Sequence, residues 1–270
     1  MGLRSGPIAL TGATGHVGRA VRAHLDGLPN EVRALGRDDD LPAAVRDAET
    51  VVHLAGTLAP AKGDTYASAN LGTARAVAAA VEGSSVRRIV ALSYVDADPD
   101  ADNAYLRAKG MGELALADTG VPLLVVRCPW IFGPVSDPGP SFAPFLAHGG
   151  RPVTVIGKGT QRLAPVYVED VAEALVRAAV EPEAPTGTYA LAGPDEIDLD
   201  TMLELLNGAG VRERHVPPSI ARLLAHLAPQ LNPTLVEVLL ADSLPHDPPL
   251  APELGMTTRG PRDVYAAPVR

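Results

Sequence analysis

Thr11-Gly12-Ala13-Thr14-Gly15-His16-Val17-Gly18, directly after the apolar run Pro7-Ile8-Ala9-Leu10, is the stretch whose reading decides the fold. Glycines at 12, 15 and 18 have the spacing of a phosphate-binding turn between a strand and a helix. The first permits a tight turn, and the second lets the backbone approach a pyrophosphate. The third faces back at the strand and lets the helix through Arg19–Leu25 pack closely. The N–H groups and the positive dipole end of that helix then point at the anion. A chain with 26 glycines produces some triplets by chance. Here the motif follows a strand, opens a helix and stands near the N-terminus, which is where a dinucleotide-binding sheet begins.

Composition fits a globular α/β protein. The chain has 270 residues, 46% hydrophobic and 20% charged, enough to bury a sizeable core. A formal charge of −9 without a basic run opposes nucleic-acid binding, which draws its affinity from Lys and Arg on phosphates. Cys128 is the one cysteine, so an intramolecular disulfide is excluded. No basic-then-apolar leader and no bilayer-length apolar run are present, and the expectation is a cytoplasmic protein with no membrane partner. The seven histidines lack metal-ligand spacing, and no metal is expected.

Short Val/Ile/Leu runs alternate with Ala-rich amphipathic stretches, the pattern of a parallel sheet with crossover helices. Strands are expected at Ile8–Leu10, Val32–Leu35, Val51–Ala55, Ile89–Ser93 and Leu123–Cys128. Helices are expected at His16–Leu28, Tyr66–Glu82 and Ala104–Asp118. Only Arg37–Thr50 separates the second strand from the third, too little for the helix, edge strand and helix of the full pattern. The expected fold is therefore a Rossmann-type doubly wound parallel sheet lacking one edge strand. Leu41–Asp47 supplies a short helix, and the second strand lies at the sheet edge. The nucleotide-binding core is expected to span residues 1–132, with later segments returning to it. A smaller C-terminal substrate lobe is expected over 133–270, with helices Glu169–Val180, Leu199–Asn207, Ser219–Leu227 and Thr234–Ala241 and a strand Thr188–Ala192.

Six segments occur in a telling order: the glycine motif, Val51-Val52-His53-Leu54-Ala55-Gly56, Asn70, Tyr105-Leu-Arg-Ala-Lys109, Arg127-Cys-Pro-Trp-Ile-Phe-Gly133 and Pro165-Val-Tyr-Val-Glu-Asp-Val-Ala172. In that order the chain resembles the extended and atypical short-chain dehydrogenases/reductases. The branch it is similar to includes complex I accessory-subunit-like and nucleotide-sugar-epimerase-like reductases. The resemblance covers residue 7 to about 205. It implies that Tyr105 and Lys109 form a catalytic pair. Residues four apart share one helix face. A lysine there can lower the phenol's pKa and bond the nicotinamide ribose, leaving Tyr105 to give or take a proton.

The family ends the preceding strand in Ser followed by a second hydroxyl residue that holds the substrate carbonyl. Here the pair is Ser93-Tyr94, so either the Tyr94 phenol serves as a displaced donor or Ser93 takes over. The second strand ends Leu35-Gly36-Arg37 without a carboxylate in first position. Gly36 leaves room and Arg37 offers a planar cation to a 2′-phosphate, favouring NADP over NAD. Asp38-Asp39-Asp40 follows, and Asp40 is a candidate for the ribose or adenine. The remaining cofactor-binding candidates are Gly12, Thr14, Gly15, His16, Val17, Gly18, Leu54, Ala55, Gly56, Lys109, Cys128 and Trp130.

Trp130, Phe132, Phe142 and Phe145 are crowded together in a chain with 4% aromatic residues. They read either as the apolar wall of a substrate pocket shared with Tyr94 or as core packing. Asn70 is expected to bridge backbone or water at the sheet, and Glu169-Asp170 to favour a helix dipole. The expected activity is NAD(P)-dependent oxidoreduction of a small, largely apolar carbonyl or alcohol by a monomer or homodimer. Two alternatives stay open: an epimerase, dehydratase or cyclase, for which Arg151, Lys158 and Arg162 could bind a sugar nucleotide, and a non-catalytic NAD(P)-binding sensor or structural subunit.

Overall fold

The computed structural model describes residues 2–225 and 232–265. The chain forms two compact units. The first takes in residues up to 128, 168–191 and 246–257, and the second holds 129–167, 192–245 and the segment from 258.

The first unit is built on strands β1 (Ile8–Thr11), β2 (Val32–Leu35), β3 (Thr50–His53), β4 (Arg88–Tyr94) and β5 (Leu123–Cys128). A sixth strand, Gly187–Ala190, pairs in parallel with β5. The order is Gly187–Ala190, β5, β4, β3, β1, β2, and every pairing is parallel. Helices α1 (His16–Leu25), α2 (Leu41–Val45), α3 (Thr73–Val81), α4 (Ala104–Ala117) and α5 (Val168–Val180) cover it. Helix α1 packs on α5, while α2, α3 and α4 form a row of neighbours. Both faces of β1, β3 and β4 are therefore apolar: Leu10, Val52 and Val90 are fully buried on alternate positions to Ala9, Val51 and Ile89. Ala9, Val51, Ile89 and Ala91 join Val45, Val77, Val81 and Leu116 in one core cluster.

The expected absence of an edge strand is observed. Residues 37–49 contribute α2 and no strand, and β2 ends the sheet. The exposed edge carries charge: Arg33 pairs with Glu31 at 2.8 Å and also with Asp47, which discourages pairing with another chain. The strand expected at Thr188–Ala192 in the C-terminal lobe instead completes the central sheet, because its Val125-facing register matches β5. The expected helix Tyr66–Glu82 is a π-helix, Ala67–Gly72, running into α3.

The second unit contains three two-stranded pairs: Ile131–Phe132 with Val166–Tyr167, Val153–Ile156 with Glu213–Val216, and Arg162–Leu163 with Ile197–Asp198. Asp198 caps the helix Leu199–Asn207 through the Thr201 N–H at 2.8 Å. Helices Pro218–Ala225 and Pro233–Leu240 share a small apolar cluster of Ala221, Ala225 and Val236. The last two residues of the helix expected over Ser219–Leu227 lie outside the described residues.

Two glycines in the first unit hold helices against backbone. A Cβ on Gly18 would stand 2.2 Å from the Gly12 carbonyl oxygen, and one on Gly110 would stand 2.3 Å from the Pro99 nitrogen. Alanine at 110 would gain about 1 kcal/mol of helix propensity, but the overlap is with backbone that cannot turn aside, and overpacking of this kind costs about 1–3 kcal/mol or more. Gly110→Ala is therefore expected to destabilise the protein; an unchanged or raised denaturation midpoint in urea would show that the α4 approach to the Asp98–Pro99 turn is loose.

Candidate functional site

The dinucleotide-binding turn takes the conformation its glycines allow. Gly12 has φ +69°, and a Cβ there would meet the Leu54 carbonyl carbon and the Ala55 nitrogen at 2.8 Å. The turn thus presses on the chain leaving β3. The Gly15 N–H donates to the Gly12 carbonyl at 3.0 Å. Gly15 is the N-cap of α1 and supplies no side-chain cap, so the positive end of α1, with Thr14 before it and His16, Val17 and Gly18 in its first turn, suits a pyrophosphate. The turn fits a dinucleotide because Cβ atoms at 12 and 18 would strike the backbone of Leu54–Ala55 and of Gly12–Ala13, so that only glycines let it close and leave the start of α1 to a phosphate.

The end of β2 is more engaged than its sequence suggests. Arg37 Nη1 pairs with Asp64 Oδ2 at 2.8 Å. The Gly36 N–H donates to Asp39 at 2.7 Å, and Asp40 caps α2 through the Ala43 N–H at 3.0 Å. Two of the three consecutive aspartates therefore hold backbone.

Asn103 is the N-cap of α4 and accepts from the N–H groups of Tyr105 and Leu106 at 3.1 and 3.3 Å. That cap fixes where the helix starts and places Tyr105 and Lys109 one turn apart on it. Tyr105 is buried between two other phenols, with edge-on ring contacts to Tyr94 at 5.6 Å and Tyr66 at 6.0 Å between centroids. Burial, followed by the neighbouring Tyr94 and Tyr66, raises its pKa. This is opposite to the lowering expected from Lys109, whose ammonium donates to the Leu92 carbonyl at 2.8 Å. Burial lowers Lys109 to about 8, while Glu113 and Cys128 act the other way.

Asn70 sits in the π-helix. It accepts from the Thr57 N–H and donates to the Thr57 carbonyl, both at 3.0 Å, and donates to the Tyr66 carbonyl at 3.1 Å. The wider turn lets one amide clamp the chain after Gly56, a use typical of π-bulges at functional sites. Bridging of backbone by Asn70 is thus observed. A Cβ on Gly56 would crowd Asn70 Oδ1 at 2.7 Å and approach Lys109 Nζ at 3.7 Å, so this glycine, Asn70 and the lysine meet.

Ser93 and Tyr94, adjacent on β4, diverge. The Ser93 hydroxyl donates to Glu113, whose carboxylate also accepts from Arg127 Nε at 3.2 Å and Nη2 at 2.6 Å. Arg127 further reaches Asp247 at 3.3 Å and the Ala97 carbonyl at 2.9 Å. Glu113, one turn beyond Lys109, is a functional neighbour the sequence reading does not name, although its i+4 spacing puts it on the same helix face. His53, another omission, bonds Thr11 Oγ1 through Nδ1 at 2.8 Å, and burial, aided by the Lys109 charge, lowers it to about 3. A cavity of about 20 Å³, room for a single water, is lined by His53, Asn70, Ser93, Lys109 and Glu113 among others. Cys128 is buried, and burial raises its thiol pKa.

In the second unit Trp130 stacks on Phe145 at 6.2 Å and meets Phe142 edge-on at 5.3 Å, whereas Phe132 packs with Tyr167 and Tyr265. All four residues of the expected pocket wall are buried. Arg162 is paired with Glu196. The fold also brings Asp200, Glu213 and His215 together, with potential ligand atoms within 4.8 Å of one another, a convergence that the spacing of the histidines did not announce. Glu169 bonds His24 of α1 at 2.9 Å besides sitting in the first turn of α5. No helix among the described residues is long and apolar enough to cross a membrane.

The model of the NAD dependent epimerase/dehydratase family matches residues 8–192. The chain belongs to this family. It is 26% identical over 232 residues to the mitochondrial NADH dehydrogenase [ubiquinone] 1 alpha subcomplex subunit 9 of Mus musculus, covering 76% of the chain and 61% of that protein. To the ceramide reductase of Caulobacter vibrioides it is 30% identical over 193 residues, 63% of the chain and 60% of that protein. The chain thus spans about 60% of the length of these relatives. Among solved structures, MoeE5 in complex with UDP-glucose and NAD has a TM-score of 0.69 at 18% identity, with 96% of each chain covered. The UDP-glucuronic acid 4-epimerase from Bacillus cereus in complex with NAD gives 0.64 at 18%, covering 88% of this chain and 97% of that one. These structures share the Rossmann fold.

The lowered pKa of Lys109 links its site to stability. Between pH 8 and the ordinary lysine value of 10.5 the unfolded chain holds a proton that the folded chain has released, so stability rises with pH across that window. Below pH 8 the folded protein carries the full cost of the buried charge. Lys109→Met is expected to remove this dependence. Relative to wild type the variant should lose about 1–3 kcal/mol of relative stability as pH climbs from 8 to 10.5. Parallel curves of unfolding free energy against pH for the two proteins would contradict the assignment.

Proposed function

We propose that the protein is an NADP-preferring oxidoreductase acting on a small, largely apolar carbonyl or alcohol, with Tyr105 as proton donor and acceptor. The observation that carries this reading is the Tyr105 phenol held protonated by burial on α4, one turn from the Lys109 cation and in ring contact with Tyr94. With its pyrophosphate held at the glycine turn, a dinucleotide would supply the hydride that reduces the carbonyl carbon. Tyr105 gives its proton to the carbonyl oxygen, and the adjacent Lys109 charge stabilises the phenolate left behind. Solvent then returns the proton.

Ser93 has its hydroxyl on Glu113, which leaves the Tyr94 phenol as the second hydrogen-bond donor to the substrate oxygen. Arg37, beside Gly36, is the cation for a 2′-phosphate. Gly12, Thr14, Gly15, His16, Val17 and Gly18 hold the pyrophosphate. Leu54, Ala55 and Gly56 flank the nucleotide, and Asp40 borders the adenosine end. Cys128, at the end of β5, borders the nicotinamide, and within the substrate lobe Trp130, Phe142 and Phe145 form an apolar cluster separate from Phe132. The relative named a ceramide reductase supports a reductase reading.

The test couples binding to turnover. Tyr105→Phe should bind NADPH as wild type does and lose a factor of about 10² or more in NADPH oxidation over a panel of aliphatic and aromatic ketones and aldehydes. Tyr94→Phe should also lose rate, whereas Ser93→Ala should lose less. Turnover by Tyr105→Phe at the wild-type rate would remove the proton-transfer role, and conversion of UDP-sugars in place of the carbonyl panel would turn the assignment to an epimerase.

A further inference from the structure

We infer that Asp64 tunes the discrimination between NADPH and NADH by occupying the Arg37 guanidinium in the way a 2′-phosphate would. The inference rests on the nucleotide-binding reading above and adds a residue that the fingerprint of glycines and β2 does not contain. Arg37 follows the end of β2, where this fold brings the adenosine ribose. Its side chain is 72% exposed, but it is not idle: Nη1 donates to Asp64 Oδ2 at 2.8 Å. The Asp64 side chain is 22% exposed, and its own N–H is tied to the Ala61 carbonyl at 2.9 Å. The carboxylate is therefore the fixed half of the pair and the arginine the adjustable half.

The neighbouring acids do not substitute for it. Asp39 accepts the Gly36 N–H and Asp40 accepts the Ala43 N–H, so both are committed to the turn that carries Arg37 into α2. A 2′-phosphate arriving here meets a guanidinium already bonded to a carboxylate, with three further acids close in sequence. It must displace Asp64 or share the donors with it, and it gains the difference between two charge-assisted contacts and not the whole of one. A ribose 2′-hydroxyl brings no charge and meets no such competition. Asp64 thereby narrows the preference for NADPH that Arg37 creates.

The experiment is a four-protein cycle: wild type, Asp64→Asn, Arg37→Ala and the double variant, each titrated calorimetrically with NADPH and with NADH at about 0.15 M salt to screen distant charges. Asp64→Asn should tighten NADPH roughly two- to fivefold, the scale of an exposed ion pair, and leave NADH unchanged. Arg37→Ala should erase the preference, and Asp64→Asn added to it should have no further effect on NADPH. An unchanged NADPH affinity in Asp64→Asn overturns the inference, as does equal tightening of both nucleotides or tightening that persists without Arg37. Wild type binding neither nucleotide overturns the nucleotide reading and this inference with it, whereas binding by wild type with no response to Asp64→Asn overturns the inference alone.

Discussion

The contact on which the first unit depends is that of Gly18 with the backbone of Gly12 and Ala13. A side chain at 18 would lie 2.2 Å from the Gly12 oxygen, so α1 can leave β1 at this angle only where position 18 has none. The angle in turn sets the other elements. It points the start of α1 at the turn, seats α1 against α5, and leaves Gly12 close enough to β3 to touch Leu54 and Ala55. One missing Cβ therefore joins two strands and two helices around a position suited to phosphate.

Around that position the electrostatics are economical. His53, Cys128 and Tyr105 are all buried, and burial drives each toward its neutral form. Lys109 is the cation among them, and its ammonium is held by the Leu92 carbonyl while Glu113 raises its pKa from one turn away. Glu113 does not stand unpaired: Arg127 binds it through two nitrogens, as suits a partly buried carboxylate. The same arginine reaches Asp247, so the returning segment His246–Thr257 is tied to the strand that carries Cys128. The charge that a proton transfer would use and the network that fixes the sheet edge are thus one system.

Much of this was legible in the sequence, for reasons that differ by element. The strands β2 and β5 and the start of α1 announce themselves because apolar runs and glycine spacing are local signals. The missing edge strand was legible from chain length alone, since the residues between β2 and β3 are too few to make it. The edge strand Gly187–Ala190 reads as a strand, but not as part of the central sheet. Its partner β5 lies some sixty residues earlier, and nothing in Gly-Thr-Tyr-Ala names it. The π-helix was hidden for a similar reason: one extra residue in a turn leaves the helical pattern intact while moving Asn70 onto Thr57. The partners of charges were least legible. Asp64 on Arg37 and Glu113 on Ser93 join residues whose meeting depends on loop path and helix phase, which no local spacing encodes.

The Ser93-Tyr94 departure gains a physical meaning from the same packing. Adjacent strand residues point to opposite sides, so a single strand end cannot offer both hydroxyls to one substrate. Glu113 needs a donor besides Arg127, and Ser93 supplies it. With the serine committed there, Tyr94 keeps its ring edge-on to Tyr105, 5.6 Å between centroids. A larger residue at 94 reaches farther from the backbone than serine or threonine, and Tyr66 on the other side of Tyr105 limits how far the phenol between them can shift. Three phenols in contact thus surround the position after Ser93, and the environment of Tyr105 is more apolar than a serine or threonine at 94 would make it.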